Sequence, residues 1–593
     1  MKNFLKMTLA SMLGFLIVSI LMYLFSIALI GSLASLGKTT PVMPREAALK
    51  IDFSELAITE QTCETDPMAL LQSGSLENQK VNLGIWQAIQ AINIAAEDPA
   101  IKFLYLKPDE VAGNLTGIEE LRKTIQNFRS QGKAVIAYIE NPGNASYYLA
   151  SAADKIFMSG YKGGMNMLGG LSSQLIFLKD VLDKAGVNMQ LIRHGKYKSA
   201  GEMYIKNAAS KENLEQNQVM INSLWDNWAG EMAQSRNMDK ASLNALIDNL
   251  KLNSPEDFKE NGLVDELVSL EEFKTRFCEL YGASSLNECQ TISLSDYATL
   301  KVLPNYKAKN KIAVIYAEGS IIDGNADEEV SGRKFADIIA DVRKDSTVKA
   351  VVLRVNSPGG SVFASEMIKA ELDLLKETRP VIASYGDYAA SGGYWISNNC
   401  DKIFSNAGTL TGSIGVFSLI PDFSSTTKKI GVNFTSVKSN KHSDMYTSMR
   451  PLDNAETEYM QASVDDIYDT FTSIVSRGRN LEQDYVDGIA QGRVWAGSDA
   501  LEIGLVDSIG GIEDAINYAM ASTGESTSLS DWMIAEYPKP LTTFEKLMKT
   551  FEGNTPNIFA DTPLESLGNA FNDLKDAKAG KAYAMMPYYI EIR

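Results

Sequence analysis

The chain of 593 residues is acidic, with a formal net charge of −18 at pH 7. This balance argues against a nucleic-acid-binding protein, because phosphate backbones are bound by clustered lysine and arginine. The composition, 45% apolar and 22% charged, is that of a globular protein. The length allows about four ordinary domains, or two copies of one large domain.

The first element is an uncharged, apolar stretch from Met7 to Leu36, preceded by Lys2 and Lys6. It is long enough to span a bilayer and longer than the apolar core of a cleaved secretory signal. We therefore expect an uncleaved N-terminal membrane anchor, one transmembrane helix, within residues 1–46. The positive-inside rule keeps the two lysines in the cytoplasm and places the rest of the chain outside it.

A sequence repeat with an offset of 247 residues follows this stretch. The tetrapeptide DKIF begins at Asp154 and again at Asp401, and EDPAIKFLYLK (97–107) aligns with KDSTVKAVVLR (344–354) at the same offset. In both copies the preceding segment carries apolar residues at helical spacing. The two segments are therefore duplicates of one structural unit.

Each copy reads as strand, helix, strand, helix, strand, which predicts an α/β fold with a parallel sheet covered by helices. We place the first repeat at 47–295 and the second at 308–525, with a connecting segment between them. Residues 526–593 lie outside the repeat and form a C-terminal extension.

The two copies differ at two positions that bear reactive groups. Ser391, in AASGGYWIS, aligns with Asn144, so the first copy lacks the serine. Lys198, in GKYKSAGE, aligns with Ser443 at a neighbouring offset of 245, so the second copy lacks the lysine. This complementary loss is expected if a catalytic pair of residues is divided between the two copies. A structural turn serine and a solvated surface lysine are the alternative interpretations.

A nucleophilic serine needs a base, and the sequence offers a lysine or a histidine. His194 and His442 are the only histidines, and neither has a recognisable aspartate partner in sequence. Lysine can act as a base when burial lowers its pKa from about 10.4 by several units. The pattern favours Ser391 as nucleophile and Lys198 as base.

Acyl transfer also needs donors for the oxyanion, and the segment RVNSPGGSV (354–362) offers them. Gly359 and Gly360 follow an apolar strand and precede a helix, so their N–H groups can turn outward. Gly392, directly after the serine, could supply a further N–H. The first copy lacks the glycine pair, although the same glycines could simply close a strand-to-helix turn.

The four cysteines include no CxxC motif and no Cys/His cluster, so we expect neither a metal nor another cofactor. Cys278 and Cys289 are eleven residues apart. In an exported domain they could form a disulfide or remain two separate thiols.

Four motifs in order, GKYKSAGE, RVNSPGGSV, DYAASGGYWIS and LTGSIGV (410–416), resemble the long, tandem-repeat form of the signal peptide peptidase A family. Members of this family are membrane-bound bacterial serine peptidases, and the resemblance covers nearly the whole chain. It implies a ClpP/crotonase-like fold in each half and a Ser/Lys dyad formed by Ser391 and Lys198. It also implies that Ser413 orients the lysine amine, whereas a helix-capping role is the simpler alternative.

The resemblance further implies a single-pass protein of the cell inner membrane whose catalytic region lies on the periplasmic side. Its expected substrates are residual signal peptides and other apolar peptides, and its expected assembly is a tetramer-like homo-oligomer. Whether the dyad forms within one chain or between subunits stays open. The alternatives are an acyl-CoA hydratase or isomerase on the same fold, and a non-catalytic membrane scaffold.

Overall fold

The computed structural model describes residues 41–63, 80–111, 114–324, 329–540 and 582–586, with a few single positions elsewhere. Within these ranges, no helix combines the length and the apolar character needed to cross a bilayer. All but three positions of the predicted membrane-spanning stretch, 7–36, lie outside the described residues.

The first half of the chain alternates strands and helices. Its strands are β1 (Ala47–Asp52), β2 (Leu56–Thr59), β3 (Val81–Gly84), β4 (Ile101–Lys107), β5 (Val135–Ile139), β6 (Lys155–Ser159), β7 (Asn188–His194), β8 (Glu266–Val268) and β9 (Thr291–Ser293). Its helices are α1 (Ile85–Glu97), α2 (Leu115–Ser130), α3 (Asn144–Ala150), α4 (Lys179–Ala185), α5 (Glu202–Ile205), α6 (Lys211–Ser235), α7 (Lys240–Asp248), α8 (Pro255–Glu260), α9 (Leu270–Tyr281) and α10 (Leu294–Lys301).

The second half repeats this alternation, and its last two elements among the described residues are strands. Its strands are β10 (Asn310–Glu318), β11 (Ile321–Ile322), β12 (Val330–Ser331), β13 (Val348–Ser357), β14 (Gly359–Ser361), β15 (Val381–Ala390), β16 (Lys402–Ser405), β17 (Leu410–Gly412), β18 (Val416–Asp422), β19 (Val494–Ala496), β20 (Ser508–Ile509), β21 (Trp532–Tyr537) and β22 (Tyr583–Met585). Its helices are α11 (Gly332–Lys344), α12 (Val362–Lys376), α13 (Gly392–Ser397), α14 (Ser424–Lys429), α15 (Asn454–Arg479), α16 (Gln483–Ile489), α17 (Gly497–Glu502) and α18 (Ile512–Ser522).

Two sheets, built mainly of parallel strands, correspond to the two repeats. The first has the strand order β8–β6–β5–β4–β1–β9, and every neighbouring pair in it is parallel. The second has the order β19–β17–β15–β13–β10–β21, and β16 also pairs with β15. Its pairs are parallel except for the edge pair β17–β19, which is antiparallel. The central strand β5 (VIAYI) is buried at every position, as expected for a short apolar run covered on both faces. The predicted α/β class, with parallel sheets and helices, is confirmed.

The offset found in the sequence recurs in the elements themselves. Helices α1 and α11 begin at residues 85 and 332 and end at residues 97 and 344, which is 247 apart at both ends. The extension predicted at 526–593 also contributes to this fold, because β21 pairs with β10 just as β9 pairs with β1. Strand β21 has no matching sequence in the first copy at the repeat offset, so the repeat alone did not reveal it.

One hydrophobic core is shared by both halves, and the second half has a further core of its own. The shared core joins Ile51 and Leu104 of the first sheet to Val314, Val352 and Ile382 of the second. The two sequence repeats are therefore packed against each other through this shared core.

A third sheet crosses the boundary between the repeats, with the strand order β12–β11–β14–β22–β18–β7. Strand β7 belongs to the first repeat and pairs antiparallel with β18 of the second over seven residue pairs, from Val416↔His194 to Asp422↔Asn188. Because of this pairing, the segment that follows β7 lies against the second half of the chain. The candidate site is located there.

Candidate active site

Ser391 occupies the sharp turn between β15 and α13. Its backbone has φ 54° and ψ −112°, a conformation that L-residues rarely adopt. The turn is held on both sides, since Ser391 N–H donates to Gly412 O at 2.8 Å and Trp395 N–H donates to Ser391 O at 2.7 Å. A strained strand-to-helix turn of this kind presents its side chain away from the sheet and towards a reacting partner.

Lys198 lies four residues after the end of β7, in a loop that is fixed to the second half. The N–H of Tyr197 donates to Gln491 O at 2.9 Å. The guanidinium of Arg193 donates to the carbonyl oxygen of Lys198 at 2.7 Å. The β7–β18 ladder thus sets the position of the loop, and these two bonds set the direction of the lysine.

The structure brings Lys198, Ser391 and Ser413 together. The amine nitrogen of Lys198 lies 2.8 Å from Ser391 Oγ, 3.0 Å from Ser413 Oγ and 3.0 Å from Ser413 O. All three residues are fully buried. Burial lowers the pKa of the Lys198 amine well below its usual value. A neutral amine can accept the proton of the Ser391 hydroxyl while its own N–H groups donate to Ser413.

Gly492 is a part of this site that sequence reasoning did not identify. A Cβ at this position would lie 2.6 Å from the backbone nitrogen and from the Cβ of Lys198. Its φ of +80° also favours glycine. The loop at 491–493 therefore packs directly against Lys198. A single glycine in the sequence does not indicate such a contact, so the sequence could not predict it.

The expected oxyanion donors lie next to the serine, with one difference from the sequence prediction. A Cβ on Gly392 would lie 3.0 Å from the backbone nitrogen of Gly360, so the N–H groups of these two residues belong to one small region. The N–H of Gly359 instead donates to Ser357 Oγ at 3.2 Å, because the backbone turns back on itself at φ +99°. The expectation that Gly359 N–H is a free donor is therefore revised.

The aligned positions of the two repeats serve structural purposes. Asn144, opposite Ser391, accepts hydrogen bonds through Oδ1 from the N–H groups of Gly169 and Gly170, both at 3.1 Å. Ser443, opposite Lys198, is exposed and donates to Asn440 O at 3.0 Å. Each copy thus keeps one member of the pair and uses the other position for local structure.

Both histidines contact acidic residues of the second half. His194 Nδ1 lies 2.7 Å from Asp465 Oδ1, and its ring stacks on Tyr468 at a centroid distance of 3.9 Å. His442 Nδ1 lies 3.0 Å from Glu456 Oε1. The hydrogen bond of the Ser391 hydroxyl is with Lys198, so the geometry favours lysine over either histidine as the base.

A group of three potential metal ligands lies elsewhere in the second half. His442, Asp453 and Glu456 could each offer one atom to an ion. The guanidinium of Arg450 donates to both oxygens of Glu456, at 2.7 Å each, and compensates its charge. This cluster is an ion-pair network and shares no residue with the Ser391 site.

The thiols of Cys278 and Cys289 lie close to each other without a bond between them. The two sulfur atoms are 3.4 Å apart, and both cysteines are free. Burial raises the pKa of the Cys289 thiol to about 11. The helix α9 and the turn that follows it therefore bring the pair together, and the sequence alternative of two thiols is the one that the structure contains.

A strained serine, a buried lysine and adjacent backbone donors lie together in this duplicated α/β fold, an arrangement that matches the requirements of serine hydrolases that use a Ser/Lys pair. Comparison with known proteins identifies its class. The profile of Peptidase family S49 matches residues 127–284 and 373–525. The chain belongs to Peptidase family S49 and is a serine protease, which confirms the resemblance found in the motifs.

Several relatives are similar over most of the chain. "Protease 4" of Haemophilus influenzae is 35% identical over 85% of this chain and 84% of its own length. "Protease 4" of Salmonella typhi is 35% identical over 86% and 82%, respectively. "Serine protease SPPA, chloroplastic" of Arabidopsis thaliana is 33% identical over 72% of this chain and 64% of its own length. The alignments with the two bacterial relatives cover more than four fifths of both chains and therefore extend into both repeats of this chain.

Proposed function

We propose that this serine protease is an endopeptidase in which Ser391 is the nucleophile and Lys198 the general base. The observation that carries the proposal is the 2.8 Å distance between Lys198 Nζ and Ser391 Oγ in a fully buried site. Ser413 orients the amine, since both its hydroxyl and its carbonyl lie 3.0 Å from Nζ. The N–H groups of Gly360 and Gly392 form the oxyanion hole, and Gly359 contributes by having no side chain.

The reaction follows the logic of serine acyl transfer. Neutral Lys198 takes the proton of Ser391 as Oγ attacks the peptide carbonyl, and the oxyanion develops against the two glycine N–H groups. The lysine then gives this proton to the departing amine, which leaves an ester on the serine. Water activated by the lysine hydrolyses the ester and restores both groups.

The substrates that we propose are apolar peptides, and in particular signal peptides that remain in the membrane after secretion. Support comes from the apolar stretch at 7–36, which would hold the site beside such segments, and from the strand Val416–Asp422, buried throughout, beside the site. The proposed location is the inner membrane, with one spanning helix and the catalytic region on the periplasmic side. A ClpP/crotonase-like fold of each half and a homo-oligomeric assembly are further parts of the proposal.

Peptide hydrolysis by four variants tests the assignment. We expect Ser391→Ala and Lys198→Met to lose on the order of 10³-fold or more in kcat towards a Leu- and Ala-rich peptide, because each removes a reacting group. The matched controls Ser443→Ala and Lys196→Met alter exposed residues and retain activity. Retention of a tenth of the activity by Ser391→Ala or Lys198→Met contradicts the dyad.

Substrate preference tests the second part of the proposal. Peptides with Asp or Glu beside the scissile bond should be cleaved far more slowly, because burying an unpaired carboxylate costs several kcal/mol. Equal rates for acidic and Leu/Ala peptides contradict an apolar substrate class and leave the dyad intact.

A further inference from the structure

The base of the proposed pair is hydrogen-bonded to three neutral oxygen atoms. These are Ser391 Oγ, Ser413 Oγ and Ser413 O, all around the amine nitrogen of Lys198. Hydrogen bonds between neutral groups are about half as strong as those that involve a charge. The position of the amine therefore depends on how firmly the backbone that carries it is held.

One buried glutamine, Gln216 on α6, holds the residues on both sides of the lysine. Its Nε2 group donates to Tyr197 O at 3.0 Å and to Ser199 Oγ at 2.9 Å. These two residues directly precede and follow Lys198. Gln216 is 1% exposed, so water does not compete for its hydrogen bonds. The two donors of one amide group thus fix three consecutive residues of the loop.

The carbonyl end of the same amide contacts the second repeat. Val494 N–H donates to Gln216 Oε1 at 3.3 Å. The carbonyl oxygen of the preceding residue, Arg493, accepts from Ser413 N–H at 2.7 Å. A backbone N–H can only donate and a backbone carbonyl can only accept, so the amide has one possible orientation. Gln216 thus joins the loop of Lys198 to the segment that holds Ser413.

The helix that carries Gln216 is itself bonded to the second repeat along one face. Ser223 Oγ donates to Asp499 Oδ2 at 2.8 Å, and Asn227 Nδ2 donates to Ser498 Oγ at 3.1 Å. Residues 216, 223 and 227 are spaced by seven and by four, which places them on one side of an α-helix. The glutamine is therefore part of an element that is fixed against the second repeat.

The second copy of the repeat lacks this glutamine as well as the lysine. The N-cap residues of α6 and α15, Ser210 and Asp453, are 243 positions apart. The asparagines of left-handed conformation that follow the two helices have the same separation. At this offset Gln216 aligns with Tyr459, which is 64% exposed. The glutamine therefore occurs in the copy that contains the lysine and is replaced in the copy that does not.

We propose that Gln216 is a positioning residue, which keeps the Lys198 amine within reach of Ser391 and closed off from water. This inference rests on the proposed function. Without the amide, the residues on either side of the lysine lose their bonds to α6, and the loop can move away from the segment at 492–494. The amine then lies farther from the serine hydroxyl and is better hydrated. A better hydrated amine holds its proton more strongly.

Peptide hydrolysis by Gln216→Met protein, measured over a range of pH, tests the inference. Methionine keeps the length of the side chain but offers no amide. We expect kcat towards a Leu- and Ala-rich peptide to fall about tenfold or more with KM unchanged, because a small displacement of the base is costly. We also expect the apparent pKa in the profile of kcat/KM to rise towards the ordinary lysine value of 10.5. The matched control Gln218→Met alters an exposed glutamine of the same helix and should match wild type in both quantities.

A smaller substitution provides an independent check. Ser199→Ala removes one of the three hydrogen bonds of the amide and leaves the other two in place. Both changes should therefore have the same direction and a smaller size. Wild-type values of kcat and of the apparent pKa in Ser199→Ala protein would contradict the inference, including the case in which Gln216→Met protein does not fold.

Lys198→Met protein, measured in parallel, separates the two proposals. If it cleaves the peptide at the wild-type rate, the proposed function itself is wrong. If it is inactive while Gln216→Met protein keeps the wild-type kcat and apparent pKa, the inference is wrong and the proposed function stands. A lower kcat of Gln216→Met protein with an unchanged apparent pKa also overturns the inference, because it indicates a loss of folded protein and no change at the amine.

Discussion

Gly359 shows how a single missing side chain keeps the candidate site open. Its N–H is bound to Ser357, so its contribution is the empty space beside its Cα, where a Cβ would lie 2.5 Å from the Gly392 nitrogen. Any larger residue would fill the place where the carbonyl of a substrate has to enter. The role of the residue is therefore steric, whereas the sequence had suggested that it is a donor.

We predict that Gly359→Ala lowers kcat/KM by about 10²-fold or more, because its methyl group displaces the substrate carbonyl from the oxyanion donors. Gly132→Ala is the matched control. Gly132 has a similar φ, +92° against +99°, but nothing lies within 4 Å of a Cβ built there. Both variants therefore carry backbone strain, and only the first should lose activity. Equal activities of the two variants would show that the space beside Gly359 is not used.

The buried Lys198 amine should lower the free energy of unfolding at neutral pH. Its pKa is lowered in the folded protein, so between that pKa and the ordinary value of 10.5 the unfolded chain binds one more proton than the folded chain. Stability contributed by this group therefore rises with pH across that window, by about 1.4 kcal/mol for each unit by which the pKa is lowered.

We predict that Lys198→Met is more stable than wild type at pH 7 and that this advantage shrinks as the pH approaches 10. Urea denaturation at several pH values measures the difference. Lys196→Met, which removes an exposed lysine, should show no such trend. A difference between Lys198→Met and wild type that does not change with pH would mean that the buried amine keeps its ordinary pKa.

At the scale of elements, a buried ion-pair cluster joins the two repeats. The guanidinium of Arg354, on β13, lies 2.6 Å from a carboxylate oxygen of Glu60 and 2.9 Å from one of Glu120. Both glutamates belong to the first repeat, and all three side chains are almost fully buried. The cluster fixes β13 against α2 and thereby holds the strand that leads to the glycine pair.

We predict that Arg354→Met lowers the free energy of unfolding by about 3–5 kcal/mol, because it leaves two buried carboxylates without a counter-charge. Adding Glu60→Gln and Glu120→Gln to this variant should recover part of the loss. The control Arg343→Met removes an arginine that pairs with Glu371 in a partly exposed position, and it should cost under about 1 kcal/mol. Denaturation of all four proteins in urea measures these differences. Similar losses for Arg354→Met and Arg343→Met would contradict a structural role of the cluster.

The elements differ in how far the sequence predicts them. Helices α1 and α11 and the central strands were predictable because apolar periodicity and the repeat offset are local signals. The pairing of β7 with β18 joins residues more than two hundred positions apart, and neither strand carries a mark of its partner. The same holds for β22, whose short Tyr-Ala-Met sequence has no periodicity. Long-range pairing depends on the packed fold, so it could not be obtained from the sequence.

At the scale of the whole molecule, the candidate site is built from both repeats of one chain. The sequence identified Ser391 and Lys198 because each repeat had lost one of them, but it left open whether they meet within a chain or between subunits. The single chain brings them to 2.8 Å, so the pair is complete without a second copy. The proposed oligomer is thus not needed to assemble the pair, and the membrane anchor remains a prediction from residues 7–36.

The most direct test of the Ser/Lys dyad is covalent labelling of the serine by a fluorophosphonate, followed over a range of pH. We predict that wild-type protein is labelled at Ser391, identified by peptide mapping, and that the rate rises with pH as the buried amine loses its proton. Lys198→Met should be labelled at least 10²-fold more slowly, with no rise of this kind, whereas His194→Ala should match wild type. Labelling of Lys198→Met at the wild-type rate, or its loss in His194→Ala, would contradict the account and move the base away from Lys198.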